Sequence, residues 1–260
     1  MQTLLTHSPY IFGNAARELR YRYAGSIAGA AWYLLHPLGL ILIYTLVFSK
    51  LMRVRVPNLD NAQGFAIYLC SGLLPWIGFS EGLLRAADSF IINSSYLKKL
   101  PIPEEVFVAK ETVTALFNQI LSLSLLLPLC LLLGHHPSPA WLLLPGVLLL
   151  FSLFGFGLGL MLAALTPFFR DLSQGLAIFL QLWFWGSPIV YTEDILPPAA
   201  ARLLDLNPAS WYIRAFHEII VGRQAPNLQT WLIMISTAAF SLLLGTLVLK
   251  RLKGEIRDLL

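Results

Sequence analysis

Apolar residues occur along the chain in long runs, without the alternation of apolar and polar positions that marks a half-buried strand. A helix needs about 20 apolar residues to cross the hydrocarbon layer of a membrane. Six runs come close to that length: 27–48, 65–84, 113–133, 141–165, 172–190 and 231–249. The pattern predicts an all-α integral membrane protein, with residues 1–260 forming a single domain of six transmembrane helices.

Lysine and arginine residues are divided unevenly between the segments that connect these runs. If the amino terminus lies inside the cell, the inner segments hold 12 of them and the outer segments hold 6. Because Lys and Arg concentrate in cytoplasmic loops, we expect both termini in the cytoplasm. Residues 1–8 lack the basic stretch and short apolar core of a signal peptide, so the first run is expected to remain as an anchor.

Residues 9–23 have the spacing of a surface helix rather than of a membrane span. Ile11, Ala15 and Leu19 recur on one helical face, and charged residues such as Arg17 lie largely off that face. This amphipathic pattern is typical of a helix that lies in the headgroup layer. A cytoplasmic helix that packs on a soluble partner is the alternative interpretation.

The longest predicted cytoplasmic connection is 85–111. A short amphipathic helix through residues 90–92 is expected to end before Pro101, because the residue preceding a proline avoids the helical conformation. Lys98 and Lys99 stand just ahead of that proline. Such a pair can be simply a solvated orientation signal.

The segment 191–230 is predicted to lie outside and is still half apolar. It contains two short helical patterns at 199–206 and 210–221, and between them Asn207 and Pro208 suit a helix cap and a first helical position. Neither pattern is long enough to cross a bilayer. We expect a re-entrant helical hairpin that packs against the spans.

The composition agrees with a membrane location. Apolar residues make up 57% of the chain and charged residues 12%, whereas ordinary soluble domains have about 45–50% and about 25%. This balance excludes a soluble domain and also a disordered chain. The net charge of +4 comes from basic residues scattered among apolar runs, so it favours membrane orientation over nucleic-acid binding.

The sequence offers little catalytic chemistry. It has no GxxxxGK[ST] pattern and therefore no P-loop for ATP hydrolysis. Glu81 is the one formally charged residue inside the predicted spans, which disfavours a proton-coupled carrier and an intramembrane enzyme.

The histidines and cysteines also favour structural roles. His217 and Glu218 begin like a zinc-protease motif, but Val221 stands where the second ligand belongs, so His217 is predicted to be a polar residue of the outer face. His135 and His136 lack a neighbouring carboxylate or cysteine, and no metal site is expected there. The two cysteines, Cys70 and Cys130, lie in apolar runs and are predicted to be small packing residues.

The GxxxG patterns and the dense aromatic residues can each be interpreted in two ways. GxxxG patterns at 25–29 and 155–159 allow helices to approach closely, either within the chain or in a dimer. The dense aromatic residues near 179–191 form either an interfacial belt or the wall of a passage along which a sugar chain slides.

An ordered set of short segments carries a family resemblance. The segments are 19–26, Trp32, 36–38, 44–48, 93–103, 169–172, 187–191, Asn207 with Pro208, and Arg214. In this order they resemble the membrane subunit of ABC transporters that export polysaccharides, the O-antigen, capsule and teichoic-acid permeases. The resemblance spans most of the chain, and its specificity lies in the ordered set. One departure is Ala28 before Gly29, where the family often has Leu-Gly.

The resemblance implies a permease that is not itself an enzyme. It implies a homodimer in the cytoplasmic membrane, joined to two copies of a separate cytoplasmic ABC ATPase that binds ATP and Mg²⁺. The substrate would be a lipid-linked glycan, and no cofactor, metal or nucleic acid is expected on this chain.

Three groups of residues take roles by this resemblance. Contact with the ATPase is expected at Asn93, Tyr96, Leu97, Lys98, Lys99, Leu100 and Pro101. The substrate passage is expected at Trp32, Tyr33, Tyr44, Phe179, Trp183, Phe184, Trp185 and Tyr191. Access from the membrane interface is expected at Arg17, Arg20 and Arg22, and the segment 191–230 would be an outer gate.

Two other functions remain open on the residues alone. A permease of related architecture would export a drug or a lipid. An integral membrane transferase would act on lipid-linked sugars.

Overall fold

The computed structural model describes residues 6–21, 32–47, 62–99 and 101–259, and over these residues the chain is helical with no strand. We label the helices α1 (Ser8–Tyr21), α2 (Trp32–Leu46), α3 (Ala62–Ile92), α4 (Ser94–Lys99), α5 (Glu105–Leu132), α6 (Leu144–Leu165), α7 (Leu172–Trp185), α8 (Pro198–Leu206), α9 (Pro208–Ile220) and α10 (Leu228–Leu259). Two 3₁₀ turns lie at Pro139–Leu143 and Glu193–Ile195. The predicted all-α class is confirmed for the described residues.

Among the described residues, four helical segments are long and apolar enough to cross a membrane. They are Gly64–Ile92, Glu105–Leu132, Pro139–Leu165 and Leu228–Ile256. Helices α2 and α7 have 15 and 14 residues, or about 21–23 Å at 1.5 Å per residue, against a hydrocarbon layer of about 30 Å. The chain is thus a multi-pass membrane protein by the length and composition of these helices.

Helix α3 is longer than the apolar run that predicts it. It continues through Glu81, Arg85 and Asp88 to Ile92, so residues 90–92 belong to its final turn and are not a separate helix. The separate short helix is α4, which ends at Lys99 ahead of Pro101. Apolar length alone ended the prediction too early, because polar residues can continue a helix when neighbouring helices supply their partners.

Helix α7 is shorter than its predicted run of 172–190. It ends at Trp185, and Gly186 follows as the capping residue. Pro188 then prevents the helix from resuming, since it lacks a backbone N–H. The last part of the apolar run is therefore a turn that continues into the hairpin.

Helix α3 lies at the centre of the bundle. It packs against α2, α5, α6, α7 and α9, and α6 packs in turn along α10. Of the four candidate spans, Gly64–Ile92 is the most buried. Most of the buried apolar side chains join one large cluster around α3, α6 and α9.

The small residues of α6 serve packing within the chain. A Cβ added to Gly157 would lie 2.3 Å from the backbone carbon of Ser241, and one added to Gly245 would lie 2.1 Å from the carbonyl oxygen of Gly157. The backbones of α6 and α10 are therefore in direct contact. Gly155 and Gly159 face side chains of α3, so this GxxxG pattern is used internally, and the pattern at 25–29 lies outside the described residues.

Candidate functional site

Helix α4 forms a tight connection between α3 and α5. The side chain of Asn93 donates from Nδ2 to the carbonyl of Ser89 at 2.7 Å. The carbonyl of Asn93 accepts from the backbone N–H groups of Tyr96 and Leu97, each at 3.0 Å. Asn93 thereby fixes the direction in which the chain leaves α3.

Leu97 anchors α4, and its neighbours point outward. Leu97 is fully buried, whereas Tyr96 is 55% exposed and Lys98 and Lys99 are exposed. Pro101 is exposed as well. The predicted coupling residues therefore form a small surface held in place by one apolar side chain and one amide, and Leu100 lies outside the described residues.

The apolar cluster beneath α4 gathers residues from distant parts of the chain. We call it the α4-end cluster; it contains Ile11, Ala86, Phe90, Leu97, Val106, Phe107, Val108, Ala109, Phe156, Leu160, Ala163, Ala164, Leu249 and Ile256. Helices α1, α3, α4, α5, α6 and α10 all contribute to it. They therefore have parts at the same end of the bundle, which we call the α4 end.

Charged side chains surround this cluster in pairs. Glu111 accepts from Nε of Arg85 at 2.8 Å and lies 2.8 Å from Nζ of Lys110. Glu104, which is fully buried, lies 2.6 Å from Nζ of Lys253 in α10. Burial of a carboxylate is tolerated when a cation faces it, and removal of one partner from such a pair costs about 3–5 kcal/mol.

The start of α7 is also at the α4 end. Ser173 donates from its hydroxyl to Oδ1 of Asp88 in α3. Sequence analysis missed this bond and the ion pairs, because it placed residues 85–111 in a cytoplasmic connection between two spans. Regular spacing of Glu81, Arg85 and Asp88 along one helical face was the signal that the helix continues.

The opposite end of the bundle carries the helical hairpin of α8 and α9. We call it the hairpin end, residues 186–227. Both helices fall close to their predicted positions, and the predicted apolar face of α9 is fully buried: Tyr212, Ala215, Phe216, Ile219 and Ile220.

Asn207 links the hairpin to the end of α7. Its Oδ1 accepts from the backbone N–H of Ala209 at 3.0 Å, which caps α9 as predicted, and from Nε1 of Trp183 at 2.7 Å. Its Nδ2 donates to the carbonyl of Gly186 at 2.8 Å and to Oγ of Ser187 at 3.0 Å. One side chain thus makes a cap and three contacts between elements.

Tyr68 of α3 holds the turn that follows α7. Its hydroxyl donates to the carbonyls of Pro188 at 3.2 Å and Tyr191 at 2.8 Å. Its ring stacks on the imidazole of His217, with the ring centroids 3.9 Å apart. A Cβ at Gly72 would lie 2.7 Å from Nε2 of His217, so the imidazole occupies the space that this glycine leaves.

The prediction that His217 is an outer-face polar residue is wrong. The side chain is 8% exposed, and burial lowers the pKa of the imidazole to about 3, so His217 is neutral. The residue lies on α9 beside the apolar face that turns towards α3, and the missing Cβ of Gly72 makes room for its ring. Periodicity does not report such a space.

Arg214 ties three parts of the hairpin together. Its Nε and Nη2 donate to the two carboxylate oxygens of Glu193 at 2.5 and 2.9 Å, and its Nη1 donates to Asp205 at 2.7 Å. Its guanidinium carbon lies 4.9 Å from the ring centroid of Trp211. Bidentate, charge-assisted contacts of this kind fix geometry as well as charge.

The aromatic residues predicted to line a passage divide into two groups. Trp183 and Phe184 are half-buried against Trp76, with ring centroids 5.7 and 6.3 Å away. Phe179 and Trp185 are 53% and 61% exposed on the outer face of α7.

The other predicted passage residues are Tyr191 and three residues of α2. Tyr191 is half-buried, and its hydroxyl donates to the carbonyl of Trp185 at 3.1 Å. Trp32, Tyr33 and Tyr44 are on α2, and their side chains lie outside the described part of the chain.

A groove of about 450 Å³ runs beside Trp183 between α6, α7, α9 and α10. Its lining combines apolar and hydroxyl side chains: Phe154, Leu158, Trp183, Pro208, Ser236, Thr237, Phe240, Ser241 and Leu244. A second, almost entirely apolar groove of about 270 Å³ lies between α1, α5 and α6.

Helix α1 covers most of the segment 9–23, whose position in the headgroup layer stays a prediction. Ile11 and Ala15 are buried, and the helix packs against α5. Phe12 and Arg17 are exposed. The side chain of Arg20 and the whole of Arg22 lie outside the described residues.

The remaining histidines and cysteines have structural surroundings. Nε2 of His135 lies 2.5 Å from the carbonyl of Ile220, joining the end of α5 to the end of α9. Cys70 and Cys130 are buried in the large apolar cluster. Across the ranges that the structure describes, no group of three or more His, Cys, Asp or Glu residues is arranged to hold a metal ion.

Comparison with known proteins finds one matching family and similar permeases along most of the chain. The family described as "ABC-2 type transporter" matches residues 10–221. The chain is 33% identical over 230 residues to the O-antigen export system permease protein RfbA of Myxococcus xanthus, covering 88% of this chain and 85% of that protein. Two proteins of the same name from Klebsiella pneumoniae are 26% and 25% identical over 245 residues, covering 94% of this chain and 92% of each relative.

Proposed function

The chain belongs to the ABC-2 type transporter family, and from this membership we propose that it is the permease subunit of an ATP-driven exporter of a lipid-linked polysaccharide. The observation that carries the proposal is similarity along nearly the whole chain to proteins named O-antigen export permeases. The apolar helical bundle fits the role of a permease. Because the sequence contains no nucleotide-binding loop of its own, a separate subunit would have to supply ATP hydrolysis.

We propose six membrane crossings, with α2 and α7 added to the four long helices. Contacts at the two ends of the bundle support α7 as a crossing. Ser173, at its start, binds Asp88 at the α4 end, whereas Trp183, near its last residue, binds Asn207 at the hairpin end. Lys253 of α10 meets Glu104 at the α4 end, which requires α10 to begin at the hairpin end.

Similar reasoning supports α2. Ile11 of α1 belongs to the α4-end cluster, and Tyr68 near the start of α3 contacts the turn at the hairpin end. The chain must pass from one end to the other between these residues, and α2 packs along both α3 and α5. In a locally thinned bilayer or with additional residues at its ends, a helix of this length is sufficient.

We assign the α4 end to the cytoplasm. The distribution of 12 basic residues inside and 6 outside under this orientation supports it. Both termini are then cytoplasmic and the hairpin faces the outside of the cytoplasmic membrane. The hairpin, held by Asn207, Tyr68 and Arg214, is the proposed outer gate.

Helix α4 is the proposed docking element for a separate ATPase. It presents Tyr96, Lys98 and Lys99 on a turn that Leu97 and Asn93 hold firmly. A rigid, exposed element transmits a partner's movement into α3 and α5 without first having to order itself. The partner supplies ATP, Mg²⁺ and hydrolysis, and the working unit is a homodimer of this chain with two ATPase copies.

The proposed substrate path uses both faces of the membrane. A lipid-linked glycan would approach α1 near Arg17, Arg20 and Arg22 and pass the aromatic residues of α2 and α7. Flat aromatic faces bind sugar rings weakly along their length, which suits a chain that must keep moving.

Deletion of the gene in its host tests the proposal. We expect surface polysaccharide to be lost and lipid-linked glycan to accumulate at the inner face, with both restored by the wild-type chain. Normal surface polysaccharide with new sensitivity to a drug would contradict the proposal and favour a drug exporter. Turnover of a lipid-linked sugar by the purified chain alone would favour a transferase.

The docking role of α4 has its own test. The K98E/K99E variant should reach the membrane in normal amount and uncouple ATP hydrolysis from export, because the reversed charges lie on the exposed surface of α4. Export at the wild-type level by this variant would remove α4 from the coupling path.

A further inference from the structure

Helix α10 extends well beyond the thickness of a membrane. Its 32 residues give a length of about 48 Å at 1.5 Å per residue, against a hydrocarbon layer of about 30 Å. The charged residues of α10 are concentrated in its last part, 250–258. This part, which we call the α10 extension, lies at the α4 end of the bundle.

The α10 extension is packed against the bundle. Ile256 is fully buried, and Leu249 just ahead of the extension is 5% exposed. Both belong to the α4-end cluster together with Leu97 of α4 and Phe107 of α5. The extension and α4 therefore rest on one apolar base.

An ion pair fixes the register between the two elements. Glu104 caps the start of α5, just beyond the short segment that follows α4, and has no exposed surface; its Oε2 lies 2.6 Å from Nζ of Lys253. Separation of the pair would leave the buried carboxylate of Glu104 without its cation, which is costly. The position of the α10 extension relative to α4 is therefore set by side-chain contacts and not only by the path of α10.

Both elements carry exposed cations. Lys98 and Lys99 are exposed on α4, and Lys250 and Arg251 are exposed on the α10 extension, where Glu255 is exposed as well. A surface of this charge complements an acidic face on a partner. Among the elements at this end, α4 is the one already assigned to contact with the ATPase.

We propose that the α10 extension and α4 together form a two-part surface that binds an acidic face of the ATPase subunit, with the Glu104–Lys253 pair holding the two parts in register. This inference rests on the proposed function. It extends the contact from one short helix to two elements, and it connects the ATPase directly to α10, whose backbone touches α6 at Gly157.

A protein partner fits this surface better than a lipid surface. Segments that bind anionic lipids are clusters of Lys and Arg, whereas residues 250–258 combine four basic residues with the acidic residues Glu255 and Asp258. Lipid headgroups also require no fixed geometry, so the contact between buried Glu104 and half-exposed Lys253 would have no purpose there. A protein interface, by contrast, gains affinity when its contacting groups are already held in a fixed geometry.

Retention of the ATPase by variants of the full-length chain tests the inference. The tagged chain is purified in detergent from cells that also contain the ATPase that the wild-type chain retains. The K98E/K99E variant alters α4, and the K250E/R251E variant alters the α10 extension. The R202E/R223E variant is the control, because it makes the same change of charge on exposed residues at the hairpin end.

We expect about a tenfold loss of retained ATPase for K98E/K99E and also for K250E/R251E, in line with charge reversals in an interface. The control should retain the wild-type amount. Full retention by K250E/R251E, beside a loss in K98E/K99E, would overturn the inference and leave the proposed function intact. If the wild-type chain itself retains no ATP-hydrolysing partner, the proposed function fails.

A photo-crosslinking residue in place of Arg251 identifies the neighbour directly. We expect a product with the mass of this chain plus the ATPase subunit. Crosslinks to phospholipid alone would overturn the inference and identify the membrane as the partner of the α10 extension.

The contribution of Glu104 to the register is tested by the amount of ATP consumed per exported chain, which a purely structural role of Glu104 would leave unchanged. The E104Q variant should still retain ATPase within about twofold, since it keeps the docking cations, while the ATP consumed per exported chain rises. A loss of thermal stability with an unchanged ratio of ATP to export would overturn this part of the inference.

Discussion

Replacement of Asn207 by alanine is the sharpest stability test that the hairpin offers. The side chain caps α9 and makes three further hydrogen bonds, to Trp183, Gly186 and Ser187. A cap contributes about 1 kcal/mol, and an ordinary hydrogen bond contributes about 1 kcal/mol net. Because some of the released groups regain water, we expect N207A to lower the free energy of unfolding by about 3 kcal/mol.

Two matched variants separate the contributions. Asn227 accepts from the backbone N–H and the hydroxyl of Thr230 at the start of α10, at 2.8 and 3.0 Å, and its side chain makes no hydrogen bond to the described residues of α7, α8 or α9. The N227A variant should therefore cost only about 1 kcal/mol. The N207D variant keeps the cap and the bond from Trp183 but loses the two Nδ2 donors, so we expect an intermediate cost of about 2 kcal/mol.

Thermal unfolding in detergent, followed by tryptophan fluorescence, is the assay. A loss of 1 kcal/mol shifts Tm by about 2–4 °C in a chain of this size, so N207A should lower Tm by about 6–12 °C. Equal shifts for N207A and N227A would refute the reasoning, because the contacts of Asn207 between α7 and the hairpin would then contribute nothing.

Three further predictions follow from other contacts. The G157A variant should lower Tm by several degrees, because the new Cβ meets the backbone of α10, whereas G175A should leave Tm unchanged or higher, since its Cβ meets nothing within 4 Å. Burial lowers the pKa of His217 in the folded chain to about 3, whereas a histidine in the unfolded chain has a pKa of about 6.5. Below about pH 6.5 only the unfolded chain takes up this proton, so the free energy of unfolding should fall as the pH drops. A plot of Tm against pH should show this decrease for the wild-type chain and lose it for H217N. The R214K variant should slow export more than it lowers chain abundance, because Lys replaces the bidentate contact to Glu193 with a single charge. Export is measured together with chain abundance on immunoblots. Wild-type levels of both would contradict the prediction.

Local signals in the sequence predict local structure well. Pro101 ends α4 where the avoidance of helix before proline places the boundary. Asn207 and Pro208 start α9 as a cap and first residue. The apolar face of α9 is buried as its period predicts. Each of these depends on residues within about one or two helical turns, which a single sequence contains.

Contacts between distant residues are the part that the sequence does not reveal. Glu104 and Lys253 are far apart along the chain, and neither stands in a motif that names the other. The burial of His217 depends on the space left by Gly72 on another helix. The charges of Arg85 and Asp88 also suggest a loop, although both residues lie in helix α3. Their partners on α5 and α7, which the sequence does not reveal, allow the helix to continue.

The predicted substrate-passage residues show the same limit at a finer scale. Hydrophobic pattern places Phe179, Trp183, Phe184 and Trp185 close together on one helix. The structure turns Trp183 and Phe184 inward and leaves Phe179 and Trp185 on the outer face of α7. Their common role as a passage stays a prediction, since two helical faces can line one path only when a second subunit or a substrate closes it.

Transport by purified components tests the account most directly. The chain is reconstituted in proteoliposomes with a lipid-linked polysaccharide, with and without the ATPase subunit that it retains, and translocation is measured by accessibility of the glycan on the far side of the membrane. We predict translocation only when the ATPase and ATP are both present. Translocation by this chain alone would contradict the account, because a chain without a nucleotide-binding loop would then drive export unaided.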